Sequence, residues 1–336
     1  MKKVRCALVG HGYWGPNLAR NAMTSQAVEL AAICDSRKSE LERLNDQYQR
    51  IKLTQKYSDV LADPMIDAVL IATPVSTHFR LAFEALQAGK HVLVEKPLAT
   101  TVEHAQILIE EAQRRNRTLM VDHVFVYTPA VRMIRKLIDD QALGDLYYYD
   151  SVRVNLGLFQ QDVNVIWDLA VHDLSIMDFV IDEKPHTVSA VSAAHVDGRM
   201  ENIAYLSCFF PSGLIAHFHV NWLAPVKVRH TLLGGSRKML IYNDLEPDEK
   251  IKIYDRGVDQ GSNPMLQFGY RLGDMWSPML GRTEALSTSI NHFAECIRSG
   301  AAPLTDGRCG LRVVQLLDAA SRSAVMKGQP MTVDIR

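Results

Sequence analysis

The sequence predicts an α/β protein in two parts: a doubly wound parallel sheet over residues 1–123, then an α+β domain built on an antiparallel sheet over residues 124–336. Three observations predict this. Short apolar runs alternate with amphipathic stretches through the first third of the chain. The runs are apolar at successive positions, as strands covered on both faces are. After Asp122 the texture changes to closely spaced strand-like runs separated by turn residues.

Taken in order, Val4–Val9 reads as a buried strand and Gly15–Met23 as a helix with Pro16 tolerated in its first turn. Val28–Cys34 is the next strand and Ser39–Gln49 a charged helix. Asp67–Ala72 is a continuous apolar strand, followed by Ser76-Thr77 as a cap and a helix closed by Gly89. His91–Val94 is a strand, Thr100 with Glu103 forms a capping box for a helix running to Arg115, and Thr118–Asp122 closes the series. Pro129–Asp140 is a helix that stops near Gly144. Strands then follow at Leu146–Val154, Val188–Val196, Ile203–Phe210, Leu214–Trp222, Val228–Leu233 and Met239–Tyr242. Pro211-Ser212-Gly213 and Gly234-Gly235 supply hairpin turns. Helices at Ser289–Ser299 and Leu311–Lys327 finish the chain.

Composition excludes several classes of function. Hydrophobic residues are 47% and charged residues 22% of the 336, the balance of a folded globular chain and not of a disordered one. Lysine and arginine number 37 against 38 acids, so the net charge of −1 gives no overall basic footprint for nucleic acid. No apolar run approaches the roughly 18–20 residues that span a bilayer. The apolar stretch after Met1-Lys2-Lys3 is too short for a signal peptide, so a cytoplasmic protein is expected. Five scattered cysteines, none in a C-x-x-C pair, argue against a disulfide scaffold or a zinc ribbon.

Gly10-His11-Gly12-Tyr13-Trp14-Gly15 fits G-x-G-x-x-G, follows a strand and opens a helix. Gly10 permits the tight turn, Gly12 lets backbone approach a pyrophosphate, and Gly15 allows close packing; Tyr13 and Trp14 fall within the same loop. The helix N-terminus offers N–H groups to the phosphates. Asp35, at the end of the second strand, is placed to accept from the adenosine ribose hydroxyls and favours NAD over NADP, whereas Arg37 and Lys38 could instead receive a 2′-phosphate.

An enzyme that oxidises an alcohol with a nicotinamide needs a base for the hydroxyl proton and a group that steadies the developing alkoxide. Glu95-Lys96-Pro97 stands at the carboxyl end of a parallel strand, where open α/β sheets place ligands. Asp168-Leu169-Ala170-Val171-His172 puts a carboxylate and an imidazole at i and i+4, on one face of a helix. Taken alone, these segments read equally as a surface lysine at a strand end and as a capping aspartate beside a core histidine.

Together the motifs resemble the glucose–fructose oxidoreductase / inositol dehydrogenase (Gfo/Idh/MocA) family over essentially the whole chain. The marks are Gly10–Gly15, Ala72-Thr73-Pro74 with His78, Ala88-Gly89-Lys90-His91-Val92 leading into Glu95-Lys96-Pro97, and Asp168…His172-Asp173. The resemblance implies a Rossmann domain followed by a domain with a large, mostly antiparallel sheet whose open face makes homo-oligomer contacts, in a dimer or a tetramer. It implies that Lys96 hydrogen-bonds the reacting oxygen, that His172 takes the hydroxyl proton, and that Asp168 binds substrate and holds His172. Glu95, Thr73, Pro74 and His78 would contact the cofactor, NAD. Asp173 is the next proton acceptor in line should His172 not serve.

The polar stretch Arg153, Asn155, Gln160, Gln161, Asp162 and Asn164, ending in Trp167, suits sugar hydroxyls, a carboxylate or a phosphate, with an aromatic to stack on a ring. An ordinary surface loop with Trp167 in the core reads equally well. The segments around Asn155, Trp167, Trp222 and Trp276 look like the subgroup that handles nucleotide sugars for surface polysaccharides. That implies a nucleotide-hexose or nucleotide-amino-sugar 3-dehydrogenase similar to UDP-GlcNAc 3-dehydrogenase, with a free-sugar or cyclitol dehydrogenase as the alternative and a non-catalytic NAD sensor as a third reading. His217 and His219, at i and i+2 on Leu214–Trp222, have no cysteine or carboxylate placed to complete a metal site, so metal-free chemistry and a covered sheet face are expected.

Overall fold

The structure, a computed structural model, describes residues 2–157, 159, 162–196, 198, 200–259 and 269–335. Two compact units emerge, one of residues 1–127 and 283–314, the other of residues 128–282 and 315–336.

The first unit carries a six-stranded parallel sheet of β1 (Val4–Val9), β2 (Val28–Cys34), β3 (Lys52–Thr54), β4 (Ala68–Ile71), β5 (His91–Glu95) and β6 (Leu119–Asp122). Its order is β3-β2-β1-β4-β5-β6, so the winding reverses between β1 and β4. Ligands of open α/β sheets bind in the crevice at that reversal. Every residue of β4 is buried, which is why the run is apolar without alternation. Helices α1 (Gly15–Thr24), α2 (Lys38–Leu44), α3 (Tyr57–Ala62), α4 (His78–Gln87) and α5 (Val102–Arg115) connect the strands. The cap of α5 is one residue later than expected: Thr101, not Thr100, accepts from the His104 N–H at 3.1 Å, and Asn116 ends the helix in the left-handed region at φ 52°. Three-residue β3 has no readable pattern, and sequence reasoning passed over it.

The second unit holds α6 (Pro129–Asp139), β7 (Leu146–Leu156), α7 (Val171–Val180), β8 (Thr187–Ala193), β9 (Ile203–Phe209), β10 (Ile215–Asn221), β11 (Leu223–Gly235), β12 (Met239–Asn243), β13 (Ile251–Asp259) and β14 (Gly269–Trp276). With β15 (Met331–Thr332) these strands form a nine-stranded sheet ordered β14-β13-β12-β11-β7-β10-β9-β8-β15. All neighbours are antiparallel except β7 and β10. The period of two in β10 is kept: Ala216, Phe218 and Val220 are fully buried, while Ile215 is 46% exposed. Strand β14, exposed along almost its whole length, shows no apolar alternation and gave no sequence signal.

The division at residue 123 is corrected at the chain's other end, because residues 283–314 return to the first unit. Within it, α8 (Ala285–Ser299) packs on α1 and on the Val124–Tyr127 turn. Arg20 grips Glu284 through two hydrogen bonds of 2.7 and 3.0 Å, and the Thr305 hydroxyl donates to Val121 O at 2.7 Å. The last helix, α9 (Gly307–Val325), begins in the first unit and ends in the second. No helix of the described residues is long and apolar enough to cross a membrane.

Candidate active site

The glycine-rich turn sits where β1 ends. Gly10 has φ +90°, and a Cβ there would meet Ala72 O and Thr73 Cγ2 at 2.7 Å. A Cβ on Gly15 would lie 2.5 Å from Gly10 O, so the third glycine closes the turn on itself rather than packing helix against strand. A Cβ on Gly12 would meet nothing within 4 Å, which leaves the backbone there open to a close ligand, and Tyr13 beside it is 85% exposed. No side chain caps the start of α1, where Trp14 stands and Pro16 follows, so the terminus remains open to an anion. These features fit a dinucleotide pyrophosphate.

Asp35, at the end of β2, is buried and heavily engaged. It accepts from the His11 N–H at 2.8 Å, from the Arg37 N–H at 2.9 Å, and from the Arg37 guanidinium at 2.8 and 2.9 Å. Burial works against its charge, but the hydrogen bonds from Arg37 and His11 prevail and hold the carboxyl at about 2. The acid therefore braces the phosphate turn as well as standing where the ribose is expected. Arg37 is spent on Asp35, and Lys38 lies 3.4 Å from Glu42, so both cations considered for a 2′-phosphate already face carboxylates.

Thr73 and Pro74, at the end of β4, and Lys96, at the end of β5, lie at the carboxyl edge of the same sheet. His78 corrects an expectation. It is fully buried, with Nδ1 2.9 Å from Pro97 O and Nε2 2.9 Å from Thr73 O, so it ties the two loops together and does not present its ring to the nicotinamide. Glu95 has Asp122 as its partner in register on β6, its Oε1 is buried, and burial and the neighbouring Asp122 push its carboxyl well above the usual carboxylate range. A cavity of about 640 Å³ opens at the opposite, amino edge of the sheet, lined by Lys3, Lys90, His91 and Arg117. It is remote from the glycine turn and takes no part in the dinucleotide site.

In the second unit Asp168 lies in a π-turn, Ile166–Ala170, that runs into α7. The sequence pattern predicted ordinary helix here; one widened turn takes its place, a feature that often marks functional positions. The Trp222 indole N–H donates to Asp168 Oδ2 at 3.1 Å, and Trp222 is itself 1% exposed. Asp168 and His172 are both half-buried. Asn155, near the end of β7, belongs to this neighbourhood: a Cβ on Gly157 would meet Asn155 Nδ2 at 2.9 Å and Trp222 Cδ1 at 3.2 Å.

Arg153 and Asp173 fall out of the direct roles expected of them. Arg153 is 4% exposed, and its guanidinium forms a two-pronged ion pair with Asp173 at 2.8 and 2.9 Å. Placed on β7 beneath α7, it fixes the helix that carries His172 and does not reach toward a substrate. Asp173 is equally committed and is no substitute proton acceptor. Trp167 is half-buried, and its Nε1–H donates to Ser321 Oγ at 2.9 Å. Gln160 and Gln161 lie outside the described residues. Sequence reasoning missed Trp222 as the anchor of Asp168, because 54 residues separate them and a tryptophan on a buried strand face reads as core. Among the described residues no group of three His, Cys, Asp or Glu could hold a metal ion; His219 instead stacks on Tyr205 at 4.5 Å.

Comparison with known proteins follows this division. Residues 4–123 match the family model of the oxidoreductase family with NAD-binding Rossmann fold, and residues 131–241 that of the GFO/IDH/MocA C-terminal domain. The chain is 30% identical to UDP-N-acetylglucosamine 3-dehydrogenase of Acidithiobacillus ferrooxidans over 74% of this chain and 76% of that one. It is 24% identical to scyllo-inositol 2-dehydrogenase (NAD(+)) of Bacillus subtilis strain 168 over 99% and 97%. The solved structure of the Acidithiobacillus enzyme superposes with a TM-score of 0.78 at 27% identity, covering 97% of both chains.

Proposed function

Since the chain belongs to the Gfo/Idh/MocA family of NAD-dependent oxidoreductases acting on CH–OH groups, we propose that it oxidises a nucleotide-linked hexose or amino-sugar at C3, in the building of surface polysaccharide. The observation that carries the substrate class is the 30% identity to a UDP-N-acetylglucosamine 3-dehydrogenase, against 24% to the cyclitol enzyme. The longer reach of the cyclitol match keeps a free-sugar or cyclitol dehydrogenase as the second reading.

The roles proposed follow from the chemistry of the side chains. When bound, NAD supplies the hydride acceptor. The Lys96 ammonium donates a hydrogen bond to the reacting oxygen and favours its alkoxide character. An imidazole nitrogen of His172 takes the hydroxyl proton as the carbinol carbon gives up hydride, leaving a carbonyl. Asp168, held by Trp222, supplies the charge that stabilises the imidazolium so formed. The glycine turn and the Asp35 carboxylate bind and orient the cofactor, with Thr73 and Pro74 proposed beside them; Asn155 and Trp167 are proposed to contact the sugar. The five cysteines are free and buried, which suits a reducing compartment, and the cytoplasm is the setting proposed.

A panel of UDP-N-acetylglucosamine, UDP-N-acetylgalactosamine, UDP-glucose, myo-inositol, scyllo-inositol and glucose, each with NAD, tests the reading by reduced-nicotinamide absorbance. Turnover with a UDP-sugar is the expected result. Turnover with an inositol alone would replace the substrate class, and silence across every polyol with NAD bound would favour the sensor.

A further inference from the structure

The motif Ala88-Gly89-Lys90-His91-Val92 has no part in the dinucleotide site, and its three middle residues line the cavity at the amino edge of the parallel sheet. That cavity holds about 640 Å³, within the roughly 300–1,000 Å³ of small-molecule sites. Lys2, Lys3, Lys90, Arg117 and Arg298 line it, against a single carboxylate, Asp67. Among the described residues none of the five cations forms an ion pair with a carboxylate.

Neutral groups hold the cations in place. Lys90 is 6% exposed, and its ammonium donates to Asp63 O at 2.6 Å and to Ile66 O at 2.8 Å, which leaves one of its three N–H bonds uncommitted. Arg117 donates through Nε to Gly89 O at 2.5 Å and through Nη1 to Asn116 O at 3.1 Å, and Nη2 takes part in neither bond. Lys3 Nζ donates to Ser25 O at 3.0 Å. His91 Nδ1 accepts from the Thr118 N–H at 2.9 Å, so the ring hydrogen stands on Nε2 and adds a donor. Asp67 already accepts from the Arg5 N–H at 2.9 Å. A backbone carbonyl fixes an ammonium without cancelling its charge. Burial lowers Lys90 from its ordinary value, Asp63 and Asp67 oppose the shift, and Arg117 adds to it. Burial and then Arg117 hold His91 at about 4, against Asp67. Like charges gathered on a concave wall raise a positive potential there, and an anion relieves their repulsion.

We propose that this cavity is a second anion site, separate from the glycine turn, and that it takes a small molecule bearing two or more linked phosphates. The several oxygens of such a group can engage buried Lys90, Arg117 and the exposed Lys2 and Arg298 at once, as a lone carboxylate cannot. Inorganic pyrophosphate and the diphosphate of a nucleotide share this chemistry. The site does not depend on the substrate read for the chain.

Calorimetry on the full chain at low salt, with NAD saturating so that the glycine turn is filled, tests it with pyrophosphate, UDP and uridine. Pyrophosphate should bind saturably, one per chain, and weaken as salt is raised. UDP binding tighter than pyrophosphate marks a nucleotide as the ligand, and UDP binding no tighter marks the inorganic ion; uridine should give no heat. Lys2→Gln with Arg298→Gln alters two exposed side chains that make no hydrogen bond or ion pair among the described residues. That pair of changes should weaken pyrophosphate about tenfold, and Arg117→Gln about tenfold to a hundredfold, with NAD affinity unchanged in both. A sugar-nucleotide pocket elsewhere would survive these variants, so the component they remove is the one that counts. Absence of saturable pyrophosphate and UDP binding in wild type overturns the site. Binding left intact by the exposed pair and by Arg117→Gln overturns its placement, and the exposed pair alone decides if Arg117→Gln does not fold.

Discussion

The Trp222 indole N–H donates to Asp168 Oδ2 across 3.1 Å, joining residues 54 apart in the chain. A tryptophan 1% exposed thereby sets the direction of a half-buried carboxylate for which the family resemblance implies a substrate contact. A hydrogen bond to a charged group contributes about 1.5–3 kcal/mol when removed. Trp222→Phe keeps most of the buried ring and removes the donor, so kcat/KM should fall about tenfold to a hundredfold, while NAD affinity measured by calorimetry stays within about twofold, because 1.4 kcal/mol is a factor of ten. An unchanged kcat/KM would show that Asp168 needs no anchor.

Lys96→Met and His172→Ala should each lower turnover by roughly 10²–10⁴-fold, the usual worth of a positioned acid or base. NAD binding should barely move. Asp168→Asn should fall between wild type and these two, since an amide still accepts from Trp222 yet cannot stabilise an imidazolium. Steady-state rates on the best substrate of the panel decide this. Near-wild-type turnover in His172→Ala would leave the proton without an acceptor among the groups named here, because Asp173 is committed to Arg153.

Asp35 carries a pH prediction. Its folded-state carboxyl is held at about 2 against an ordinary value of 3.8, so the unfolded chain takes up the proton first as the medium is acidified. The stability Asp35 contributes is complete above about pH 4 and is lost as pH falls toward 2. The slope of Tm against pH across that window should be shallower in Asp35→Asn. The same substitution should weaken NAD binding and narrow the preference over NADP, both read by calorimetry.

Arg153 and Asp173 form a buried pair whose separation strands a charge. Arg153→Met should cost roughly 3–5 kcal/mol of stability by leaving Asp173 uncompensated. The paired replacement Arg153→Met with Asp173→Leu should recover most of that loss in thermal unfolding. If the single change cost no more than a surface substitution, the pair would be dispensable to α7.

Along the open face of the large sheet, Tyr205 is 40% exposed, Ile215 46% and Val191 47%. We propose that a second copy of the chain covers this face, giving a dimer or a tetramer. Light scattering at micromolar concentration should return a multiple of the chain mass, and Ile215→Lys should shift it toward the monomer.

What the sequence by itself determined is local or periodic. Gly10 and Gly15 are legible because a tight turn admits no Cβ, as the 2.5 Å approach of a Gly15 Cβ to Gly10 O makes plain. Buried parallel strands such as Ala68–Ile71 are legible because both of their faces must be apolar. The face of β10 is legible because strand side chains alternate. Tertiary structure alone decided which polar side chains are spent inside the fold. Arg153 read as a substrate contact and proves to be the counter-ion of Asp173; His78 read as a nicotinamide neighbour and proves to be a strut between Thr73 O and Pro97 O. The physical reason is common to both: a buried polar group must find its partner, and that partner can lie anywhere in the chain, so no spacing within a motif encodes it.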